Sequence, residues 1–150
     1  MKDALTLTNE LKKFCFRIPL STRWSDMDEM HHVNNAVYLT YLEQARVYYF
    51  DQVCQWDWSK EGVILANAHI EYIRPLRFPE EAFVYVRTSR IGSKSFDLHY
   101  VITRLNNGTE ECIATAYTTL VGFDYHSQSS KEVNAKTKES ILKYEIMLRQ

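Results

Sequence analysis

No charge of one sign dominates this chain. Its 18 Lys and Arg stand against 19 Asp and Glu, a formal net charge of −1 over 150 residues. That balance supplies no field to draw in nucleic acid or an anionic membrane surface, so neither is expected as a partner. No apolar run approaches the roughly 20 residues of a membrane span. Cysteine is scarce: Cys15, Cys54 and Cys112 are widely spaced and form no CxxC pair, which argues against a disulfide framework and a zinc knuckle. Met1-Lys2-Asp3 opens neither a long apolar run nor a small-residue cleavage site, so a cytoplasmic protein is expected. Also missing are GxGxxG and the phosphate loop, the GxSxG elbow of a serine nucleophile, and any HxxxH or HxH spacing. Neither a nucleotide cofactor nor a metal centre is expected. Without internal repeats or low-complexity stretches, 150 residues read as one domain, 1–150.

What is present is strong periodicity. Phe14, Phe16, Ile18 and Leu20 alternate with Cys15, Arg17, Pro19 and Ser21, the pattern of a half-buried strand. Residues 36–53 place Val37, Tyr41, Ala45 and Tyr48 on a helical period, and Leu39, Leu42 and Phe50 widen the apolar surface, which predicts a helix buried on most sides. Glu43 and Arg46 stand three apart on it and can pair. Strands are predicted over 62–73, 80–90, 96–102 and 112–120. Asn107-Gly108 marks a two-residue hairpin, because both residues tolerate the positive φ of a type I′ turn. A polar linker from Ser127 leads to an amphipathic helix from about Ala135, so the domain reads as a core of about 11–125 and a helical tail of about 127–150. The order strand, long helix, four strands predicts an α+β fold: an antiparallel sheet curled around one helix. That layout leaves one edge and one sheet face open and favours oligomers.

The stretch from Arg23 to Asn35 carries Asp26, Asp28, His31, His32, Asn34 and Asn35, and it ends where the apolar helix begins. Asn34 or Asn35 can cap that helix. Its first turn offers free amides and the positive end of the helix dipole. Asp28 beside such amides pairs a general base or nucleophile with an oxyanion site, which suits acyl transfer to water. The plainer reading makes Asp26 and Asp28 turn formers or caps. His31 and His32 lack the spacing that would join them to Asp26, Asp28 or His69 as metal ligands. His32, four residues from Asp28, is either a structural hydrogen-bonder or a group that orients Asp28 or shuttles its proton. Arg74, Arg77, Arg90 and Lys94 lie near predicted strand ends, either as solvated charge or as partners for a phosphate-bearing substrate such as coenzyme A.

These residues carry a family resemblance. Asp26-Met27-Asp28, His32-Val33-Asn34-Asn35-Ala36-Val37-Tyr38-Leu39, Tyr41-Leu42-Glu43-Gln44-Ala45-Arg46, Ile70-Glu71-Tyr72-Ile73-Arg74-Pro75 and Ile91-Gly92-Ser93-Lys94-Ser95-Phe96 together resemble the hotdog-fold acyl-CoA thioesterases of the 4-hydroxybenzoyl-CoA thioesterase class, over roughly residues 14–125. The resemblance implies a sheet wrapped on a central helix, a dimer or tetramer with sites between subunits, and no cofactor beyond the coenzyme A of the substrate. It assigns Asp28 as the catalytic aspartate and puts Asn35 at the helix end facing the thioester carbonyl. Asn67 would line the site across the dimer, and Arg74, Arg90 and Lys94 would lie near the coenzyme A phosphates. The depth of the acyl pocket would depend on packing among Tyr38, Tyr41, Leu42, Tyr49 and a partner chain. His31 replaces the glycine that many members have before His-Val-Asn-Asn. The loop also resembles acyl-carrier-protein thioesterases, which have Asn in place of Met30 and two such domains. A non-catalytic acyl-CoA-binding module and a dehydratase are the other readings. The first lacks an accompanying DNA-binding segment here, and the second places its carboxylate differently.

Overall fold

Two long alternating stretches make the longest strands, Ser95–Asn106 (β4) and Thr109–Asp124 (β5). They are joined at Asn107-Gly108, whose φ values of 49° and 80° are those of the expected hairpin turn. The computed structural model describes residues 4–148. Before this hairpin come a helix, Ala4–Leu11 (α1), strand Phe16–Leu20 (β1), the long helix Val37–Tyr49 (α2), and strands Gly62–Tyr72 (β2) and Ala82–Ile91 (β3). After it come a two-residue strand, Ser129–Ser130 (β6), and helix Ala135–Tyr144 (α3). The sheet order is β1-β3-β4-β5-β2, antiparallel throughout, with β6 added to β5. α2 supplies Tyr38, Tyr41, Leu42, Ala45 and Tyr49 to the core, against Phe16, Val84, Val86, Leu98, Tyr100 and Ile102 of the sheet. This is the expected α+β arrangement.

Four features depart from the sequence expectations. First, the helix predicted over 36–53 is α-helical only to Tyr49 and widens to a π turn over Phe50–Cys54. It is also not buried on most sides: Leu39, Val47 and Tyr48 are exposed on an open face. Second, α1 was not anticipated: Ala4, Leu7 and Leu11 fall on a helical period, but the segment is only eight residues long. With the following turn it buries Leu7 and Phe14 against Tyr85, Val101 and Cys112, so part of the outer sheet face is covered. Third, the C-terminal segment is built into the domain. Val133 and Ile141 belong to the main core, and Gly122 is where the chain returns: a Cβ there would stand 2.7 Å from the Lys131 carbonyl. Fourth, three bulges interrupt the strands, at residue 66 in β2, residue 89 in β3 and residue 113 in β5. Each reverses which face the following side chains take.

β2 is an edge. It pairs with β5 on one side, and its other side is unpaired among the described residues. At its end, the bulged Ile113 turns its carbonyl to receive the amides of both Ile73 and Arg74, at 2.8 and 3.0 Å. That fixes the exit of β2 into the segment 73–81. The segment in turn braces the polar loop, since the Val33 amide donates to the Leu76 carbonyl at 2.8 Å and Leu76 is fully buried. No helix among the described residues is long and apolar enough to cross a membrane.

Candidate active site

Asp26 and Asp28 stand two residues apart and face different surroundings. Asp26 closes a short 3₁₀ turn, Trp24–Asp26, and is 3% exposed. Its carboxylate accepts from the Tyr41 hydroxyl at 2.6 Å and the Arg23 amide at 2.8 Å, and it pairs with the Arg23 guanidinium at 3.2 Å. Burial penalises its charge, but these three partners outweigh that and hold the pKa below the usual carboxylate range. Asp26 is therefore an anchor between loop and helix. Asp28 is half-buried on the wall of a cavity of about 270 Å³, lined also by His32, Asn35, Tyr38, Tyr72 and Arg74. Its Oδ1 accepts from the amides of Met30 at 2.9 Å and His32 at 3.3 Å, and its own amide donates to the His32 carbonyl at 2.8 Å. The carboxylate is thus held by main chain, with its second oxygen outside these contacts. The tight loop this requires puts His31 at φ 57°, the left-handed conformation at the position where glycine is common in the resembling family.

The cap of α2 differs from expectation. The helix begins at Val37, and the Asn34 side chain accepts from the Ala36 amide at 2.9 Å. The Asn34 amide donates to the Asp26 carbonyl at 2.9 Å. Of the three amides 34–36, only that of Asn35 makes no hydrogen bond among the described residues. Asn35 is held from behind, its carbonyl accepting from the Tyr72 hydroxyl at 2.8 Å. Tyr72 also meets Tyr38 edge-on, with ring centroids 5.0 Å apart. Burial pushes the Tyr38 hydroxyl up to about 12, so it stays neutral and lines the cavity as a weakly polar wall.

Of the expected site residues, the structure brings Asp28, His32, Asn35, Tyr38 and Arg74 together. Arg74 is anchored by a bond from Nη1 to the Cys112 carbonyl at 2.9 Å. Asn67, Arg90 and Lys94 of the same chain are elsewhere. Asn67 is opposite Thr119, whose hydroxyl donates to Asp97, so it lies on the outer face of the sheet, away from α2. Arg90 is opposite Asp97 on that face and is paired with it at 2.5 Å. Lys94 is at the β3–β4 turn, where its carbonyl accepts the Gly122 amide. Counting residues along β5 from Ile113, these two cations are about 20 and 30 Å from the Arg74 end. Tyr41 and Tyr49 are not on the cavity either: one binds Asp26, the other Glu145 and Thr88. His69 faces outward beside Tyr117, and no three His, Cys, Asp or Glu among the described residues form a metal-holding group. Two contacts escaped the sequence reading: the bond of the Tyr72 hydroxyl to the Asn35 carbonyl, and the approach of the Arg77 guanidinium, read there as solvated charge or a phosphate partner, to 2.9 Å from His32 Nε2.

A curled antiparallel sheet on a central helix, with a carboxylate in a cavity at the helix N-terminus, is the hotdog architecture of thioester hydrolases. The chain belongs to the thioesterase-like superfamily, whose model matches residues 22–141. It is 31% identical over 132 residues to the uncharacterised protein YsmA of Bacillus subtilis strain 168, covering 86% of both chains. It is 26% identical over 125 residues to the long-chain acyl-CoA thioesterase FadM of Escherichia coli K12, covering 81% of this chain and 93% of that one. Among solved structures, a thioesterase from Thermus thermophilus in complex with coenzyme A and zinc superposes with a TM-score of 0.78 at 32% identity, over 89% of this chain and 96% of that one.

Proposed function

We propose that this protein hydrolyses an acyl-CoA thioester to a free acid and coenzyme A. The observation that carries the reading is that Asp28 lines one cavity with Asn35, a residue just before α2 whose amide makes no hydrogen bond among the described residues. The carboxylate takes a proton from water as the water oxygen bonds to the thioester carbonyl carbon. The Asn35 N–H, backed by the helix dipole, receives the charge growing on the carbonyl oxygen. The carbon–sulfur bond then breaks, and the thiolate leaves with the proton held at Asp28. Direct attack by Asp28 through an anhydride uses the same two groups. The superfamily, the acyl-CoA activity named for FadM and the coenzyme A bound by the Thermus protein support this substrate class.

The acting form in this reading is a homo-oligomer joined through β2. That strand is an 11-residue edge, Gly62–Tyr72, with neither lysine nor proline to block pairing. A second copy paired antiparallel across it reverses the strand ends. The far end of the partner sheet, with the turn that bears Lys94, then stands beside the Arg74 end of this chain, where the phosphates of coenzyme A would leave the cavity.

Thiol release from a panel of acyl-CoAs, short, long and aromatic, tests the reading. Asp28→Asn and Asp28→Ala are expected to lose about 10²–10⁴-fold in kcat, the usual share of a positioned base. Full turnover in either variant would overturn the mechanism. Absence of turnover in the wild type, with tight acyl-CoA binding, would make the protein a binding module.

A further inference from the structure

We infer that Arg77 is a positioning residue for the reaction: its guanidinium fixes the His32 imidazole in the neutral form that carries its proton on Nδ1. This rests on the thioesterase reading. Arginine has donors and no acceptor. Its Nη2 is 2.9 Å from His32 Nε2, so the ring nitrogen must accept, and an accepting nitrogen carries no proton. An imidazolium at His32 would present an N–H to the guanidinium and break the pair. The same bond closes Nε2 to any other proton. His32 therefore neither takes the proton of the attacking water at Nε2 nor gives one to the leaving thiolate from it. What remains to the ring is a donor at Nδ1, on a residue that lines the cavity with Asp28. This leaves proton removal to Asp28 and makes His32 an oriented N–H.

The reach of Arg77 to His32 is built, not incidental. Glu80 already binds the Arg77 main chain and could compete for the guanidinium, but both of its oxygens are committed. Oε2 accepts the Arg77 main-chain amide at 2.8 Å, and Oε1 pairs with Arg104 at 3.0 Å. Arg104 also donates to the Pro75 carbonyl at 3.2 Å and pairs with Glu111 at 3.0 Å. The neighbouring Leu76 is fully buried and its carbonyl holds the Val33 amide, one residue from His32. The chain on both sides of the Arg77–His32 contact is thereby tied together, and the Glu80 carboxylate is engaged by the Arg77 amide and by Arg104. Among the described residues, His32 is the side-chain partner of the guanidinium.

The test uses the full-length protein labelled with ¹⁵N and the variants Arg77→Met, which keeps an unbranched stem and removes the donor, and Arg77→Lys, which keeps a cation that donates. The chain has five histidines, so a His32→Gln sample assigns the His32 ring signals. The wild type is expected to show an acceptor-type Nε2 and a protonated Nδ1. Arg77→Met is expected to move the ring toward the Nε2–H form and to lower kcat about tenfold, a fraction of what a positioned proton-transfer group contributes, with KM within about twofold. Added guanidinium is expected to restore part of that kcat, and Arg77→Lys to keep the wild-type ring signals and most of the turnover. An Arg77→Met protein with unchanged ring signals and unchanged kcat overturns the inference. So does a loss confined to KM, which would make Arg77 a contact for the substrate phosphates. If Arg77→Met does not fold, Arg77→Lys decides: wild-type ring signals with turnover lost also overturn it. The ring signals need no substrate, so a wild type that releases thiol from no acyl-CoA, yet shows the Nδ1–H ring, defeats the thioesterase reading and not the pairing.

Discussion

Two aspartates in one short loop are separated by what their oxygens touch. Asp26 is enclosed and triply bonded; Asp28 is tethered through one oxygen and borders the cavity. Their substitutions should therefore separate stability from activity. Asp26→Asn keeps the shape and an acceptor for Tyr41 but loses the charge that Arg23 pairs with, and is expected to lower stability by about 1–3 kcal/mol at neutral pH. The folded pKa of Asp26 is depressed, so its contribution is complete above the ordinary aspartate value of about 3.9 and is lost as pH falls through the folded value. Urea unfolding of both proteins should show a gap at pH 7 that narrows in acid. A gap that widens in acid would show that Asp26 does not act through its charge.

At the scale of elements, the C-terminal helix is held by a buried acid. Glu145, just past α3, is fully buried and accepts from the Tyr49 hydroxyl and from the Thr88 amide, the latter at 3.0 Å. Its second oxygen has no hydrogen-bond partner among the described residues. Burial raises the Glu145 pKa despite the bonds from Tyr49 and Thr88 and the nearby Arg87 charge. The sign is opposite to that of Asp26. The group favours folding most when protonated, and its contribution declines as pH rises from the ordinary glutamate value through the raised one. Glu145→Gln keeps an acceptor for both donors and cannot ionise. Its melting temperature relative to the wild type is expected to rise by several degrees between pH 4 and pH 8. A constant difference across that range would show that folding does not raise the Glu145 pKa. The link joins α2, β3 and the end of α3, which is why the tail behaves as part of the domain.

For the whole molecule, two apolar surfaces are open: Leu39, Val47 and Tyr48 are exposed on α2, and Leu65 and Tyr72 on the edge strand β2. A second copy paired along β2 would cover that edge. Leu65→Lys combined with Ala68→Lys places two charges on that edge and is expected to give a monomer by light scattering, with thiol release lost while the melting temperature changes little. A monomeric wild type with full turnover would show that one chain carries a complete site.

The alternation of apolar residues is a local property, and it determined the strands, the hairpin at Asn107-Gly108 and the central helix. Asp28 and Asn35 were legible for the same reason: a loop running into a helix is contiguous in sequence, so the carboxylate and the helix end are close whatever else the chain does. Tyr38 follows on the first turn. The sheet face that Asn67 and Arg90 take within the chain was not legible, because face follows parity and parity is reset by bulges. Leu65 faces inward and Asn67, two residues on, faces outward because residue 66 is extra; Thr88 and Arg90 are divided in the same way by residue 89. Nothing in the residue types at 66 and 89 announces the insertion. The π turn at the end of α2, the docking of α1 and the burial of Glu145 likewise depend on surfaces that exist only once the sheet has formed. The meeting of Arg77 with His32, 45 residues apart, was decided by the bulge at Ile113 and by Leu76, which together carry the exit of β2 across the polar loop.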